Sequence, residues 1–394
     1  MSTENEAATS DPTAVRRPLW RTLGITLGIA LLCSVAARLG LAHIDQGRPW
    51  PRWDEFFPLV PRAWDYWDAG WYHTVAERGY SYVPGRQSSV AFFPLYPLSM
   101  RWLAGVGMSA RTAGFALTVG AGIASVVLFH AWARRLVDPR SARRAALLLS
   151  VYPFAIYFYG TLYSDAFGLC FTLAAFLCLE HDNPWGAAGF GALATACRPI
   201  APAVVLGLLA RSIERRLSEG ERLRWTDFVP ALSGLGFALW LYYLQTRFGD
   251  ALAFIHVQSA PGWEHPPGWH TWLKEEWFLI MLGRRPAGGL PWYDYVRLAG
   301  HALATVLALG LIWPTRKRLG RAYGLQTLVA IGLPALSTSD MNGMGRYLFA
   351  GFPIFLTATL WLATRPRDFR VWIALSVIGV LWLAYAFGTG TMVA

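Results

Sequence analysis

Long apolar segments recur along most of this chain and constrain its fold more than any other feature. The ten candidate segments lie near residues 19–43, 112–133, 145–160, 164–181, 186–210, 227–246, 295–313, 322–337, 347–363 and 371–390. A helix of about 20 apolar residues crosses a bilayer core of about 30 Å. Only 15% of the residues are charged, against about 25% in soluble domains. We therefore predict an all-α polytopic membrane protein with about 9–10 transmembrane helices and interfacial helices in its first outer loop.

Basic loops between these segments predict the orientation. The formal net charge is +11, which in a soluble protein would suggest nucleic acid as a partner. Here the charge falls in short loops, as is typical of the cytoplasmic side of a membrane protein. The basic groups lie at 16–21, 134–144, 211–224, 316–321 and 365–370. We predict no nucleic-acid partner.

The same loops predict how the chain is divided. We expect a disordered cytoplasmic N-terminus at 1–17 and a single multi-span membrane domain at 18–394. We expect outer loops at about 44–111 and 247–294. Loops of this length are usually functional. The sequence therefore places its candidate chemistry on the extracytoplasmic side.

One segment conflicts with a simple alternation of crossings. Three apolar segments separate the basic loops at 134–144 and 211–224, although two cytoplasmic loops require an even number of crossings. The segment 186–210 contains Arg198-Pro199 near its middle, and proline breaks a helix. We predict that it forms broken or re-entrant half-helices. The alternative is an ordinary span with one loop of unexpected orientation.

The first outer loop has the pattern of an amphipathic helix over about 62–78. One predicted face carries Trp64, Trp67, Trp71 and Val75, and another carries Asp65, Asp68 and Tyr72. Such a helix lies in the membrane interface with its tryptophans toward lipid. A carboxylate facing a protein cavity there can accept a proton from a sugar hydroxyl as a general base. An interfacial anchor with solvated acids explains the pattern equally well.

Three further charged residues lie at the ends or middle of apolar segments. Asp165 opens the segment 164–181, where the common role is to cap a helix; its functional interpretation is a carboxylate at the outer membrane edge that faces the same cavity as Asp68. Arg198 is centred in an apolar segment and is a candidate partner for a phosphate; its alternative is a structural pair with Asp165. Arg346 begins a segment near the predicted headgroup level. It either binds a lipid phosphate or only extends its charge to the interface.

Other polar features of the outer loops are less specific. The second loop interleaves tryptophans with His256, His265 and His270, which suits carbohydrate stacking but also an interfacial helix. His265 and His270 lack a metal-ligand spacing. The acidic pair Asp54-Glu55 has the pattern of a solvated loop.

Several catalytic motifs are missing from the sequence. It contains no GxxxxGK[ST] phosphate-binding loop, no HExxH motif and no DxD pair that would hold a nucleotide sugar through a metal. The four cysteines lie in apolar stretches without metal-ligand spacing. We therefore expect neither a metal nor another cofactor.

Several motifs resemble those of the PIG-V type GPI mannosyltransferase 2 family. The first runs from Trp67-Asp68-Ala69-Gly70-Trp71-Tyr72 through Gly79-Tyr80 to Ala91-Phe92-Phe93-Pro94-Leu95-Tyr96-Pro97. The later ones are Tyr163-Ser164-Asp165, Arg198-Pro199, and Gly345-Arg346-Tyr347 with Phe352-Pro353. They occur in the family's order between about residues 64 and 353.

The resemblance implies a GT-C-like fold whose active site lies on the extracytoplasmic face. It implies an inverting, metal-independent transfer of mannose from a polyprenyl-phosphate-mannose donor to a glycolipid or glycan acceptor, with Asp68 as the general base. The expected donor-binding residues are Arg346, Arg198, Asp165 and Tyr347, and the expected supporting residues are Asp65, Trp67, Tyr72, His73 and Tyr96. The arginine- and alanine-rich composition suggests the plasma membrane of an actinomycete-like bacterium.

Two other kinds of function remain open from the sequence. One is a transferase that uses another lipid-linked sugar, such as arabinose. The other is a non-catalytic transporter or a scaffold for glycolipid assembly. A transporter is expected to show repeats and ionisable residues at the membrane midplane, whereas the acids of this chain cluster at the predicted outer interface. This pattern favours an enzyme.

Overall fold

Helices form all the regular secondary structure in the part of the chain that the structure describes, which confirms the all-α prediction. The computed structural model describes residues 12–44, 60–263, 265, 268–285 and 290–393, with side chains from Trp20 onward. The α-helices are α1 Pro12–Ile44, α2 Ala69–Arg78, α3 Leu95–Gly105, α4 Ala110–Leu136, α5 Pro139–Val151, α6 Ile156–Tyr159, α7 Asp165–Glu180, α8 Pro184–Cys197, α9 Ala201–Ser218, α10 Leu235–Phe248, α11 Ala253–His256, α12 Trp269–Trp272, α13 Glu275–Met281, α14 Trp292–Leu319, α15 Arg321–Ser337, α16 Met344–Tyr347, α17 Pro353–Leu362 and α18 Pro366–Gly388. Short 3-10 helices lie at Pro61–Trp64, Ser89–Ala91, Pro153–Ala155, Trp225–Gly234, Val257–Ser259 and Leu348–Gly351.

Five helical stretches among the described residues are long and apolar enough to cross a membrane. They are Trp20–Ile44, Ala110–Leu136, Trp225–Phe248, Trp292–Leu319 and Pro366–Gly388. The chain is therefore an integral membrane protein. The other predicted spans are helical but shorter or interrupted; the segment predicted at 145–160, for example, is divided into α5, a 3-10 turn and α6.

The segment 186–210 is interrupted, as predicted, at residues 198–200. Helix α8 ends at Cys197, and α9 begins at Ala201. Arg198 between them has an extended backbone, with φ −153° and ψ 157°. Proline at the next position explains this geometry, because its ring excludes the helical conformation of the residue before it. The alternative of one uninterrupted span is wrong.

The two helices form a hairpin that runs along α7. Next to the turn, Arg198 contacts Asp165, the first residue of α7, at 2.5 Å. Further along α9, Arg211 contacts Glu180, the last residue of α7, at 2.6 Å. Helices α8 and α9 therefore run in opposite directions over the length of α7.

The first outer loop differs from the predicted amphipathic helix over 62–78. A 3-10 turn at Pro61–Trp64 ends before Asp65, and Trp67 has a left-handed backbone with φ 58°, so α2 starts only at Ala69. The prediction that Trp64 faces lipid is wrong. Its side chain is fully buried and packs on Phe387 of α18, with ring centroids 5.8 Å apart.

Two sequence predictions fall partly or wholly outside the described residues. The predicted N-terminal segment 1–17 overlaps α1, which begins at Pro12, and residues 1–11 lie outside the described range. Asp54 and Glu55 also lie outside it.

In the predicted second outer loop, short helices α11, α12 and α13 lie between α10 and α14.

Candidate functional site

Four charged side chains from distant parts of the sequence meet at one end of α7. We call Asp68, Arg346, Asp165 and Arg198 the charge quartet. Arg346 Nη2 lies 3.0 Å from Asp68 Oδ2, and Arg346 Nη1 lies 3.9 Å from Asp165 Oδ2. Arg198 Nη1 lies 2.5 Å from Asp165 Oδ1. The charges alternate in sign, so the quartet is formally neutral.

Each member of the charge quartet comes from a different structural element. Asp68 directly precedes α2, Asp165 begins α7, Arg198 forms the hairpin turn, and Arg346 lies in α16. Gly168, in the first turn of α7, leaves room for the Arg198 side chain, because a Cβ at this glycine would lie 3.1 Å from Arg198 Cδ. All four residues were predicted as site residues, and their roles remain predictions.

The two carboxylates of the quartet have different environments. The Asp165 side chain is 2% exposed, whereas that of Asp68 is 30% exposed. Asp68 occupies the capping position of α2, yet its side chain makes no capping hydrogen bond. Its backbone N–H donates to the Tyr163 hydroxyl at 3.1 Å. Asp68 is therefore the fixed, accessible carboxylate, and Asp165 is the buried counterion between two arginines.

Three tyrosine rings surround the Arg346 guanidinium. Its central carbon lies 5.0 Å from the ring centroid of Tyr163, 5.1 Å from that of Tyr347 and 5.6 Å from that of Tyr157. Such cation–π contacts favour a desolvated arginine. Burial opposes the charge, but Tyr347 and the two carboxylates raise the pKa of Arg346 above its ordinary value. Arg346 therefore stays cationic.

Tyr157 and Tyr163 are not among the site residues predicted from the sequence. Tyr163 belongs to the Tyr163-Ser164-Asp165 motif, so its closeness to Asp165 in the sequence could have identified it as a site residue. Tyr157 lies within an apolar run and has no comparable signal. Only the folding of α6 against α7 brings its ring to Arg346.

Hydrogen bonding in the charge quartet is incomplete. Asp165 Oδ2, Arg346 Nε and the Tyr157 hydroxyl are buried and have no hydrogen-bond partner among the described residues. Buried polar atoms are nearly always bonded, and an exception requires an explanation. Two guanidinium groups with spare donors suit an anionic ligand such as a phosphate.

The predicted supporting residues divide into those near the quartet and those elsewhere. The Tyr72 hydroxyl bonds the Ser164 hydroxyl at 2.8 Å, next to Asp165. Tyr96 lies behind Tyr72, and its hydroxyl donates to the Gly114 carbonyl at 2.9 Å. Trp67, which is 49% exposed, directly precedes Asp68.

Asp65 and His73 form a separate cluster. Asp65 lies 2.5 Å from Arg111 Nε and 3.4 Å from His73 Nε2. The predicted helical face that would join Asp65 to Asp68 is therefore wrong, because both residues precede α2. Tyr347, by contrast, lies at the quartet, with its ring under Arg198 at 5.5 Å.

The described part of the chain contains no group of three histidine, cysteine or acidic side chains that could hold a metal ion. His265 Nδ1 pairs with the Ser339 hydroxyl at 2.9 Å. His270 pairs with Glu275. The histidines of the second loop are thus placed beside hydrogen-bonding partners rather than beside one another.

Comparisons with solved structures give a weak structural likeness, and the sequence comparisons give none. No protein-family model matches the chain, and no curated protein matches it. Among solved structures, the chain is similar to the apo form of the Archaeoglobus fulgidus oligosaccharyltransferase, with 12% sequence identity and a TM-score of 0.45. The similarity covers 93% of this chain and 56% of that chain, so this chain spans little more than half its length. A likeness of this strength carries no argument about function.

Proposed function

We propose that this protein is a membrane glycosyltransferase of the GT-C type. In this proposal it transfers mannose from a polyprenyl-phosphate-mannose donor to a glycolipid or glycan acceptor at the extracytoplasmic face of a bacterial plasma membrane. The transfer inverts the sugar carbon. The family resemblance of the motifs around Asp68, Asp165 and Arg346 supplies the substrate class.

The observation that supports the proposal is an accessible carboxylate beside two buried guanidinium groups. Asp68 has a 30% exposed side chain, whereas the side chains of Arg346 and Arg198 are 13% and 14% exposed. Glycosyl transfer from a lipid phosphate requires a base for the acceptor hydroxyl and positive charge for the leaving phosphate. The charge quartet contains both kinds of group.

Donor binding and activation of the base are coupled in this arrangement. Arg346 Nη2 bonds Asp68 at 3.0 Å, so one oxygen of this carboxylate is engaged before the donor binds. When the donor phosphate binds Arg346 and Arg198, it replaces the Asp68 carboxylate as the anion that Arg346 contacts. Asp68 is then released to accept a proton from the acceptor.

The proposed reaction is a single displacement at the anomeric carbon. Asp68 removes the proton of the acceptor hydroxyl while the acceptor oxygen forms a bond to that carbon. The bond from the anomeric carbon to the phosphate oxygen breaks on the opposite face, and polyprenyl phosphate leaves with the electron pair. Arg346 and Arg198 stabilise the charge that develops on the phosphate. The positive charge needed there comes from the chain itself, so the proposal requires no metal.

The deciding experiment is sugar transfer by the purified protein in nanodiscs. It uses radiolabelled polyprenyl-phosphate-mannose, a membrane glycolipid extract as acceptor, and the variants Asp68→Asn and Asp68→Ala. The control is Asp250→Asn, which changes an outer-loop carboxylate bonded by Tyr82 and His256. Digestion of the product with an α-mannosidase tests the stereochemistry.

We expect both Asp68 variants to lose transfer by about 10²–10⁴-fold, the usual contribution of a general base, while donor binding persists. Transfer that survives in Asp68→Ala would contradict the role of Asp68. Absence of transfer by the wild type, with binding of a different lipid-linked sugar, would contradict mannose as the donor sugar.

A further inference from the structure

We infer that His301 is a positioning residue that fixes Arg346 through the backbone of Gly345. The inference rests on the proposed function only in giving Arg346 a donor phosphate to bind. His301 lies in α14 and is fully buried. It touches none of the four charged side chains of the quartet. Its effect therefore passes through the main chain.

The two ring nitrogens of His301 have different partners, which fixes its protonation. The Gly345 backbone N–H donates to Nδ1 at 2.9 Å. Nε2 lies 3.2 Å from the carbonyl oxygen of Val393, which can only accept. A neutral imidazole with its proton on Nε2 satisfies both contacts, whereas the imidazolium satisfies only the contact with Val393 and the other tautomer satisfies neither.

Gly345 is held from three directions. His301 accepts from its N–H, and the Tyr152 hydroxyl donates to its carbonyl at 3.1 Å. On its third side lies the Phe154 ring, so close that a Cβ at Gly345 would collide with it. The same ring packs against the His301 imidazole, with centroids 4.6 Å apart. The residue directly before Arg346 therefore has no freedom to shift.

The segment around Arg346 has few other anchors of this kind. The Arg346 backbone N–H donates to the Gly343 carbonyl at 3.1 Å, a contact within the same turn. Gly343 has a left-handed backbone with φ 75°. Loss of the His301 acceptor would leave the buried Gly345 N–H without a partner, and the turn that carries the guanidinium would have to adjust to pair it. A displacement of about 1 Å at a binding group can cost about 10²-fold in rate.

Two substitutions separate the functions of the two ring nitrogens. His301→Asn places an amide oxygen where Nδ1 lies and keeps an acceptor for Gly345. His301→Gln places an amide N–H where Nε2 lies and keeps a donor for Val393, but it removes the acceptor for Gly345. Gln is larger than Asn by one methylene, so loss of packing alone would make His301→Asn the more damaging variant, which is the opposite of the expected order.

We expect His301→Gln to raise the donor KM by about 10- to 100-fold with a smaller change in kcat, because Arg346 binds the phosphate while Asp68 is untouched. His301→Asn should stay within about threefold of the wild type in both constants. Equal effects of the two variants, or a loss confined to kcat, would overturn the inference. A purely structural role predicts lower folded yield with unchanged constants.

A readout independent of activity uses the arginine reagent 4-hydroxyphenylglyoxal. Mass spectrometry reports labelling of the peptide that contains Arg346, whose side chain is 13% exposed. We expect faster labelling in His301→Gln than in the wild type and in His301→Asn. A wild type that neither binds nor transfers the donor would refute the proposed function, whereas the labelling rates still decide whether His301 fixes Arg346. Equal rates in all three proteins would refute the positioning role.

Discussion

The two ends of α7 each carry buried arginines against a carboxylate, yet they differ in how completely their polar atoms are bonded. At the far end, Glu180 accepts from Arg211 Nε at 2.6 Å and from Arg211 Nη2 at 3.0 Å. The Tyr323 hydroxyl donates to Glu180 at 2.7 Å, and Trp132 Nε1 donates to that hydroxyl at 2.7 Å. At the quartet end, Asp165 Oδ2 has no hydrogen-bond partner among the described residues.

The difference indicates which end is structural and which is functional. A closed network satisfies every buried group and rigidifies a core. An open cluster leaves donors and acceptors for a ligand, at a cost in stability. Burial and charge alone would not separate the two ends, because both contain arginine–carboxylate pairs within 3.0 Å. Three substitutions test this comparison, and a fourth tests a buried cation away from both ends; they follow from the largest expected effect to the smallest.

Arg346→Gln, at the quartet end, should reduce transfer by about 10²–10³-fold, the loss expected when a charge-stabilising donor is removed. The free energy of unfolding should change by less than about 1 kcal/mol, because Asp165 keeps Arg198 and Asp68 is partly exposed. Transfer assays and unfolding in detergent micelles measure the two quantities. A large loss of stability with normal transfer would reverse our assignment of this end.

Arg211→Gln should give the opposite result. It leaves Glu180 buried without its cation, which typically costs about 3–5 kcal/mol of stability, while transfer per folded molecule should remain near the wild-type value. Asp182→Asn is the matched control, because its partner Arg215 is at the same end but the Asp182 side chain is 80% exposed. Equal destabilisation by both variants would indicate that burial of Glu180 has no special importance.

Tyr163→Phe tests the positioning of Asp68. It removes the hydroxyl that accepts from the Asp68 backbone N–H, so kcat should fall by about tenfold with little change in donor KM. Tyr159→Phe is the control, since it removes a buried hydroxyl that bonds the Ser150 carbonyl at 2.6 Å, away from the quartet. Similar kinetics for the two variants would show that the Tyr163 hydroxyl is not needed.

The smallest effect concerns Lys274, a buried cation between α12 and α13 whose Nζ donates to Thr338. Burial lowers the pKa of Lys274 to about 8, whereas the unfolded chain has an ordinary value of about 10.4. The unfolded state therefore holds more protons between these values, and stability rises with pH.

The wild type should gain about 1–3 °C in Tm relative to Lys274→Met between pH 8 and pH 10. Thermal unfolding in nanodiscs at a series of pH values measures this shift. Lys317→Met, which replaces the other lysine of the chain, controls for loss of a positive charge. A difference between wild type and Lys274→Met that is independent of pH would contradict the effect of burial.

Much of the architecture was predictable because apolar length and charge placement are local properties. The interruption at Arg198-Pro199 followed from the chemistry of proline and from the parity of the basic loops. Asp165, Arg198 and Arg346 were predicted as site residues because charges are scarce in and beside apolar segments, and Asp68 was predicted from the pattern of the first loop. A pair between Arg198 and Asp165 was one of the predicted alternatives, whereas the direct contact of Asp68 with Arg346, 278 residues apart, had no signal in the sequence.

The failures of prediction all involve contacts between distant elements. Helical spacing placed Trp64 toward lipid, but the space against Phe387 in α18 buries it instead. The left-handed backbone at Trp67 is rare for a bulky residue and has no signal in the sequence. His301 in α14 has no motif around it, and only the approach of Gly345 and Val393 reveals its contacts.

The positive and negative members of the charge quartet belong to different packed pairs of helices. Arg198 leads into α9 and Arg346 follows α15, and α9 and α15 pack along each other. Asp165 begins α7, which packs on α4 and α8. The two cations are therefore carried by elements next to one packed pair of helices, and the buried anion is carried by another helix. A departing phosphate and an electron-poor sugar ring need such a division of charge.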